Sequence, residues 1–453
     1  MADRAFVSAD RTSVFVRELD RPYPLIERGR GVWLYDTNGW PYLDAVSGGA
    51  MVTSLGHGGI PEIMDAARAQ TEKVSFIYNV HATSPAQEEL AAELVTVAPE
   101  GFTRVHFTSG GTEANELGLR MVRSYHVERG EPSRHLVISP AQAYHGASIA
   151  TFGLTGRPGL QAPYQPYIQQ QPHIPPSTWH TDPTGQAALA ALDQVLDQVG
   201  PGNVAAFLLE PVSAAALPGY TPPPAFWAGL QRRRREHGFL VWFDEVVTGL
   251  GRTGSWFAAQ QTPITPDVIT TAKGLGAGFT PVGGMLVADH VYQAVAEGSR
   301  SFEPGHTWDG APVSCAVGLA VLRYLKAHGL VERVRERGPR LREQLADALA
   351  DCELVREVRG HGFLLGISYV DPSDGESFLD PELGVAGQID REALDRELLV
   401  YSTQPTRDGY AGDQTLLAPA FVASDAELDE IVDRVSATVH AVELRVKKEL
   451  ANR

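Results

Sequence analysis

Short apolar runs alternate with helical patterns between about residue 61 and residue 315. The runs are RVHFTS at 104–109, HLVIS at 135–139, VAAFLLE at 204–210, FLVWFDE at 239–245, DVITTAK at 267–273 and VGGMLVA at 282–288. Strands that are apolar on both faces and separated by helices are typical of a sheet that is covered on both sides. The pattern therefore predicts an α/β domain built on a mostly parallel sheet.

The flanking segments predict a smaller α+β lobe. Near the N-terminus, Asn38-Gly39 stands between β-rich runs and predicts a hairpin ahead of a glycine-rich loop. The C-terminal part combines a helical pattern, CAVGLAVLRYLKAHGL, with a strand-like run, HGFLLGISYV, and a charged final helix. We expect residues 61–315 to form the large domain, and residues 1–60 with 316–453 to form the small one.

One biased stretch interrupts the alternation. Residues 161–180, QAPYQPYIQQQPHIPPSTWH, are too rich in proline for regular structure, so they predict a surface excursion.

Composition narrows the class of protein. The chain has 453 residues, of which 43% are hydrophobic and 21% charged, so it is neither disordered nor fibrous. Its formal charge of −17 argues against binding to nucleic acid or to an anionic membrane. No run approaches the roughly 18 apolar residues of a membrane span, and the N-terminus lacks a signal-peptide pattern, so we expect a cytoplasmic protein. Cys315 and Cys352 have neither metal-ligand nor disulfide spacing, and no metal site is expected.

Candidate chemistry lies where the predicted strands end, because ligands bind at the carboxyl ends of strands in open α/β sheets. The run at 104–109 leads into SGGTEAN, which places Gly110, Gly111 and Thr112 at the start of a helix. Backbone N–H groups there form an anion cradle that a phosphate can enter. The alternative is a helix cap supplied by Ser109 or Thr112.

Lys273 is the second candidate. The chain has only five lysines, and this one ends an apolar strand and is followed by GLGAG. An amine with few water contacts has a lowered pKa and suits imine chemistry, which arginine cannot perform. Two alternatives are a lysine that extends from a strand end to water and a dinucleotide loop formed by GLGAG.

Two further features follow neighbouring strands. Asp244 ends the apolar run that begins at Phe239, where a carboxylate needs a cationic partner such as a protonated ring nitrogen. Tyr144 and His145, in AYHGAS, can offer an aromatic face to a ring. Taken alone, Asp244 is also explained by a structural salt bridge, and Tyr144 with His145 by a structural role in packing. Together with the cradle and the lysine, they describe a site for pyridoxal 5′-phosphate.

The sequence closely resembles the class III aminotransferases, pyridoxal-phosphate enzymes of the aspartate aminotransferase fold, and in particular their omega-transaminase subgroup. The resemblance covers residues 20–440 and is carried by FTSGGTEAN, YHG, EPV, FDEVVTGLGRTG, TTAKGLGAG, GHTWDGAPVSCA and RGHGFLLGI. It implies a large domain with a seven-stranded, mostly parallel sheet between helices. It also implies a ping-pong transfer of an amino group from an amine or amino acid to a carbonyl acceptor.

Site roles are implied residue by residue. Lys273 matches the lysine that forms the Schiff base with the cofactor and then moves a proton, and Asp244 matches the partner of the pyridine nitrogen. The other matches are Gly110, Gly111 and Thr112 at the phosphate, Tyr144 with His145 and Val246 at the ring, Glu210 as an acid beside the cofactor, and Thr307. The last of these corresponds to a threonine that reaches the cofactor of a neighbouring subunit, which implies a homodimer.

The sequence defines the substrate less closely than it defines the cofactor site. Relatives that act on amino acids often carry an arginine near GDQTLLAPAF, where this chain has Leu416. Arg407 lies close to the position of a mobile arginine in omega-transaminases, and Phe76 and Tyr78 are candidate pocket walls or core residues. We expect a preference for an amine, or for an amino acid whose amine is far from its carboxylate.

Other functions stay open at this point. The same scaffold and cofactor also support decarboxylation and racemisation. A nicotinamide-dependent dehydrogenase would use GLGAG as a dinucleotide loop. A cofactor-binding regulator would carry an added basic module, which the sequence lacks.

Overall fold

The computed structural model describes residues 4–178, 180–303, 305–404, 409 and 411–453. Its N-terminal part forms the strands β1 (Phe6–Val7), β2 (Tyr23–Pro24), β3 (Ile26–Arg30), β4 (Trp33–Asp36) and β5 (Pro41–Asp44). The predicted hairpin is present, because β4 pairs antiparallel with β5. Gly39 has a φ of 81° in its turn, and its N–H donates to the carbonyl of Asp36 over 2.8 Å.

A seven-stranded sheet forms the centre of the molecule. Its strands are β6 (Phe102–Thr108), β7 (Leu136–Pro140), β8 (His173–Ile174), β9 (Val204–Leu209), β10 (Leu240–Asp244), β11 (Val268–Thr271) and β12 (Gly283–Ala288). They stand in the order β6-β12-β11-β10-β9-β7-β8, and β12 alone runs against the others. The predicted mostly parallel sheet is therefore confirmed, and the strands other than β12 have their carboxyl ends at one edge.

Helices cover both faces of this sheet. The helices that precede, connect or follow its strands along the chain are α1 (Pro61–Lys73), α2 (Pro85–Val97), α3 (Gly111–Glu128), α4 (Ile149–Leu154), α5 (Pro158–Gln161), α6 (Gln186–Val199), α7 (Pro224–His237) and α8 (Asp289–Glu297). Successive residues of β10 pack on opposite sides. Val241 and Phe243 join the core with α2, α6 and α7, whereas Leu240 and Trp242 join the core with α3, α4 and α8. This explains why the strand is apolar throughout.

The C-terminal part is α+β, as predicted. It contains the helices α9 (Pro312–Ala327), α10 (Leu330–Ala348), α11 (Val385–Asp395) and α12 (Asp425–Ala451) and the strands β13 (Val355–His361), β14 (Leu364–Tyr369), β15 (Leu398–Leu399), β16 (Tyr401–Thr403) and β17 (Gln414–Leu417). Four of these strands form an antiparallel sheet in the order β13-β14-β17-β16. The fifth, β15, pairs with β5 of the N-terminal part.

The proline-rich stretch is more regular than its composition predicts. It includes a 3-10 helix at Ala162–Tyr167 and the two-residue strand β8, which pairs parallel with β7 at the edge of the large sheet. Pairing at an edge needs hydrogen bonds on one side of the strand only, so nearby prolines do not prevent it. No helix in the described ranges is long and apolar enough to cross a membrane.

Close packing between α3 and β10 depends on Gly118. A Cβ atom at this position would lie 2.3 Å from Cζ2 of Trp242, which is fully buried. Any larger residue must therefore push α3 away from the sheet.

We expect Gly118→Ala to lower the free energy of unfolding by about 1–3 kcal/mol through overpacking. Urea unfolding followed by circular dichroism measures the change. Gly159→Ala is the control, because this helical glycine has no atom within 4 Å of its added Cβ, and it should leave stability unchanged or slightly higher. Equal losses in the two variants would contradict the packing argument.

Candidate active site

A cleft of about 310 Å³ opens at the carboxyl edge of the large sheet. The segments that follow β6, β7, β9, β10 and β11 form its walls, because these parallel strands end side by side. It brings together nine predicted cofactor residues, namely Gly110, Gly111, Thr112, Tyr144, His145, Glu210, Asp244, Val246 and Lys273.

The glycine-rich start of α3 forms one end of the cleft. Gly110 is the N-cap residue, and no side chain caps the helix. Ser109 instead donates its hydroxyl to the Glu113 carboxylate over 2.5 Å, so the capping alternative is wrong. The first N–H groups of this 18-residue helix consequently remain available to an anion. A Cβ on Gly111 would lie 2.8 Å from Cγ1 of Val246, so only glycine allows this close approach.

Lys273 follows β11 and lines the cleft. It has a φ of 40°, a left-handed conformation that costs a non-glycine residue about 1 kcal/mol or more. Burial lowers the pKa of its amine to about 8, although the carboxylates of Asp244 and Glu210 act in the opposite direction. The side chain therefore does not extend from the strand end into bulk water. A substantial fraction of the amine is neutral near that pH, which makes it a nucleophile.

Asp244 ends β10 and is 4% exposed. Its Oδ2 accepts hydrogen bonds from Nδ2 of Asn115 at 2.7 Å and from Nδ1 of His145 at 2.8 Å. Its Oδ1 accepts from the backbone N–H of Val246 at 3.0 Å. No lysine or arginine forms an ion pair with it among the described residues, and its ionisable partner there is His145. The carboxylate is fixed in orientation and can receive a cation from the cleft.

Asn115 is a cleft residue that the sequence analysis missed. It is 1% exposed and lies one turn after Gly111 on the same face of α3. Besides Asp244, it contacts Thr270 of β11, whose hydroxyl donates to Asn115 Oδ1 over 2.6 Å. A polar residue among the buried positions of α3 was the available signal, because a buried amide needs partners.

His145 and Tyr144 have different surroundings. The His145 side chain is fully buried and contacts Asp244, so it orients the carboxylate rather than offering a free ring face. Tyr144 is half-buried beside the cleft, and burial raises the pKa of its hydroxyl. Its backbone N–H donates to the carboxylate of Glu210 over 3.2 Å. Burial also raises the pKa of Glu210, and Asp244 adds to this effect.

Three predicted residues lie outside this cleft within the single chain. Thr307 is exposed in the loop before α9. Phe76 is 40% exposed, and its ring lies 5.2 Å from that of Trp308, so it is not a core residue. Tyr78 is half-buried and contacts His81. Arg407 lies outside the described residues.

The structure also shows the surroundings of Leu416 and of the GLGAG segment after Lys273. Leu416 is fully buried in β17 and packs with Val46, Met51 and Leu364, so an apolar environment occupies the expected arginine position. GLGAG does not open a helix, because Lys273–Leu275 form a short 3-10 turn and the chain then continues to β12. The dinucleotide-loop alternative requires such a helix and is therefore wrong.

Known proteins share both the sequence and the fold. The family model for aminotransferase class-III matches residues 15–439. An uncharacterized aminotransferase, YodT, of Bacillus subtilis is 33% identical over 95% of this chain and 98% of its own length. A putrescine–pyruvate aminotransferase of Pseudomonas aeruginosa is 33% identical over 90% of this chain and 88% of its own length.

Solved structures agree with this assignment. An (S)-enantioselective omega-transaminase from Thermomicrobium roseum is 33% identical, with a TM-score of 0.84 over 92% of each chain. A transaminase from the marine bacterium Virgibacillus is 28% identical, with a TM-score of 0.88 over 94% of this chain and 95% of its own. The chain belongs to the class III aminotransferases and has the fold of the pyridoxal-phosphate transaminases. It is therefore an enzyme that transfers amino groups.

Membership of this family implies pyridoxal phosphate as cofactor, and the residues of the cleft fit it. The uncapped start of α3 suits a phosphate, and the buried carboxylate without a lysine or arginine partner in the described chain suits a ring cation. Lys273 supplies an amine of lowered pKa in the same cleft.

The lowered pKa of Lys273 predicts how the cofactor-free protein reacts with an aldehyde. Capture of pyridoxal phosphate should accelerate as pH rises and level off above about pH 8, because the neutral amine is the nucleophile. Stopped-flow absorbance measures the rate. Glu210→Gln removes a charge that raises this pKa, so its midpoint should lie at lower pH. A rate that keeps rising toward the ordinary lysine pKa would contradict the assignment.

Proposed function

We propose that this aminotransferase holds pyridoxal phosphate on Lys273 and transfers an amino group from an amine or amino acid to a carbonyl acceptor. One observation carries the proposal: the Lys273 amine, the Asp244 carboxylate and the uncapped start of α3 line one cleft. When bound, the cofactor supplies an aldehyde carbon and a ring that accepts electrons.

Lys273 has two roles in this proposal. Its neutral amine would hold the cofactor covalently when the cofactor is bound, and it would be freed when an incoming amine takes its place. Once free, Nζ would remove a proton from the carbon that bears the substrate amine and would deliver it to the former aldehyde carbon of the cofactor. Its surroundings support both roles, because a pKa of about 8 lets the amine lose and regain a proton near neutral pH.

Asp244 acts through a fixed negative charge. The hydrogen bonds from Asn115, His145 and the Val246 N–H hold both carboxylate oxygens in place. An ionised carboxylate at this position favours the protonated form of a ring nitrogen, which strengthens the ring as an electron acceptor. We propose that Asn115 and His145 are positioning residues for this charge.

The remaining cleft residues bind and orient the cofactor in this proposal. Gly110, Gly111 and Thr112 receive the phosphate at the start of α3, where the helix dipole favours an anion. Tyr144 and Val246 limit the movement of the ring. Glu210 is the acid beside the cofactor, and an arginine that enters the cleft can pair with it.

The proposed donor is an amine, or an amino acid whose amine is far from its carboxylate. Two observations support this preference. Leu416 offers no charge for an α-carboxylate and lies in an apolar cluster. The Pseudomonas aeruginosa relative is named for putrescine, a diamine donor, and for pyruvate.

We expect the purified holoenzyme to lose its visible absorption band on mixing with 1-phenylethylamine and to regain it with a keto acid. Lys273→Ala should abolish the band or the change, because no other amine in the described part of the chain lines the cleft. Lys73→Ala, at an exposed lysine on α1, is the matched control and should behave like the native enzyme. Chromatography of the products separates amino transfer from decarboxylation and racemisation. Release of carbon dioxide or a racemised donor, without an exchanged amino group, would overturn the proposal.

We further propose that two copies of the chain form a homodimer. Thr307 precedes Trp308, which is 58% exposed and contacts the exposed ring of Phe76. Exposed aromatic side chains that cluster in this way are typical of an interface. If Thr307 reaches the phosphate in the neighbouring subunit, Phe76 lies near that subunit's cleft as well.

We also propose that residues 1–60 and 316–453 form one small domain, which is supported by the pairing of β15 with β5.

Trp308→Asp should convert the dimer to a monomer and lower activity by about tenfold or more, because a charge in an apolar contact opposes association. Light scattering after size-exclusion chromatography measures the mass. Leu444→Asp is the control, since this leucine of α12 is 71% exposed and lies far from Thr307 along the chain. A fully active native monomer would contradict the proposal.

A further inference from the structure

A group of metal-ligating side chains lies in the C-terminal part of the fold, outside the residues that line the cleft. A ligand atom from each of Cys352, His440 and Glu443 lies within 4.8 Å of the other two. Thiolate, imidazole and carboxylate are the ligand types that zinc takes in proteins. Spacing along the sequence predicts no metal site here, because the cysteine precedes β13 whereas the other two residues lie on α12.

The fold holds these two segments against each other. His440 and Glu443 are three residues apart, so they share one face of α12. Cys352 lies in the turn between α10 and β13, and the next residue, Glu353, donates its backbone N–H to Oε1 of Glu443 over 2.7 Å. The cysteine is 4% exposed and Glu443 is 6% exposed. The thiol and the carboxylate therefore meet away from bulk water.

His440 is oriented like a metal ligand. Its Nδ1 lies 2.8 Å from the carbonyl oxygen of Ser436, and because a carbonyl can only accept, Nδ1 carries the hydrogen. In the neutral ring, Nε2 then presents a lone pair, and it lies 3.1 Å from Oδ1 of Asp351. Two acceptors face each other at this distance only if a proton or a metal ion lies between them. Ligating histidines typically donate the other ring N–H to a backbone carbonyl in the same way.

The charges around this group favour a cation. Asp351, Glu353 and Glu443 bring three carboxylates together at the turn and the helix. Lys447 pairs with two of them, at 2.9 Å from Oε2 of Glu353 and 3.0 Å from Oε1 of Glu443. Its side chain is 39% exposed, so the ammonium can turn toward water when another cation takes its place.

We propose that Cys352, His440 and Glu443 bind a zinc ion, with Asp351 as the fourth ligand. Ligands at about 2.0–2.3 Å from a tetrahedral zinc ion lie about 3.3–3.8 Å from one another. The three atoms within 4.8 Å need to close only slightly, and the 87% exposed side chain of Asp351 is able to adjust. Four protein ligands are typical of a structural zinc site. The ion would therefore fasten α12 to the turn before β13.

Binding replaces a proton on sulfur. Burial raises the pKa of the Cys352 thiol to about 12, and the charge of Glu443 adds to this effect, so the thiol is protonated in the metal-free protein. The bond between zinc and sulfur forms as the S–H bond breaks, and the proton leaves to solvent. No group is oxidised or reduced in this step.

The test titrates the purified holoenzyme, without an affinity tag, with Co²⁺ as a coloured probe for zinc. The native protein should bind one equivalent and develop the intense d–d bands of tetrahedral cobalt with a sulfur-to-cobalt charge-transfer band, and Zn²⁺ should remove both. Cys352→Ala should lose the charge-transfer band and bind about tenfold more weakly or worse. Cys315→Ala is the matched control, because it removes the other buried cysteine, on α9, and it should keep the native spectrum.

Two further variants report on the surroundings of the ion. Lys447→Ala should bind Co²⁺ about threefold more tightly, because it removes a cation that competes for Glu443. Lys448→Ala, at the exposed neighbouring lysine, is its control and should leave the affinity unchanged. Asp351→Asn should weaken binding less than Cys352→Ala, since water can take the fourth position.

An absence of d–d bands in the native holoenzyme, or a native cobalt spectrum in Cys352→Ala, would overturn the inference. If circular dichroism shows that Cys352→Ala does not fold, His440→Asn decides instead, because this ligand is 33% exposed and its replacement leaves the core intact. It should lose the d–d intensity, and an unchanged spectrum would contradict the site. These readouts need no turnover, so they do not depend on the proposed function.

Discussion

The buried carboxylate of Asp244 is the constraint on which the site depends. A charge at 4% exposure is unfavourable unless polar groups surround it, and here Asn115, His145 and the Val246 N–H supply them. Asn115 is fixed in turn by Thr270, whose hydroxyl also accepts from the indole N–H of Trp242. The position of this single charge is thus built into the contact between α3 and the large sheet.

The same packing explains why binding and chemistry meet at one place. Gly118 lets α3 approach Trp242, and this approach brings the start of the helix next to β10. Gly111 then allows Val246 to come close to the helix end. A helix end without a side-chain cap, a fixed negative charge and an amine of lowered pKa consequently share one cleft. Each element would have little catalytic value alone, since the chemistry requires them at fixed separations.

Much of this could be predicted from particular residues. Six apolar runs gave six strands of the large sheet, because burial on both faces leaves a continuous apolar pattern. Lys273 and Asp244 could be identified because a charged group at the end of a buried strand is unfavourable unless it has a partner. The strand β8 was missed because two residues between prolines show no periodicity. Asn115 was missed because a single amide side chain in a helix is an ordinary feature. The alternative of a helix cap from Ser109 or Thr112 was excluded only by the structure, in which Ser109 donates to Glu113 and no side chain caps α3.

By itself, the sequence determined the family and the α/β architecture, and it supplied the candidate residues for a phosphate, a ring nitrogen and an aldehyde. These follow from local patterns, in which residue type and spacing along the chain are sufficient. Only the tertiary structure decided which polar groups surround Asp244 and that His145 faces this carboxylate. Those contacts join residues up to 129 positions apart, and folding of the whole chain determines their distances. Burial, which sets the pKa of Lys273, has the same origin.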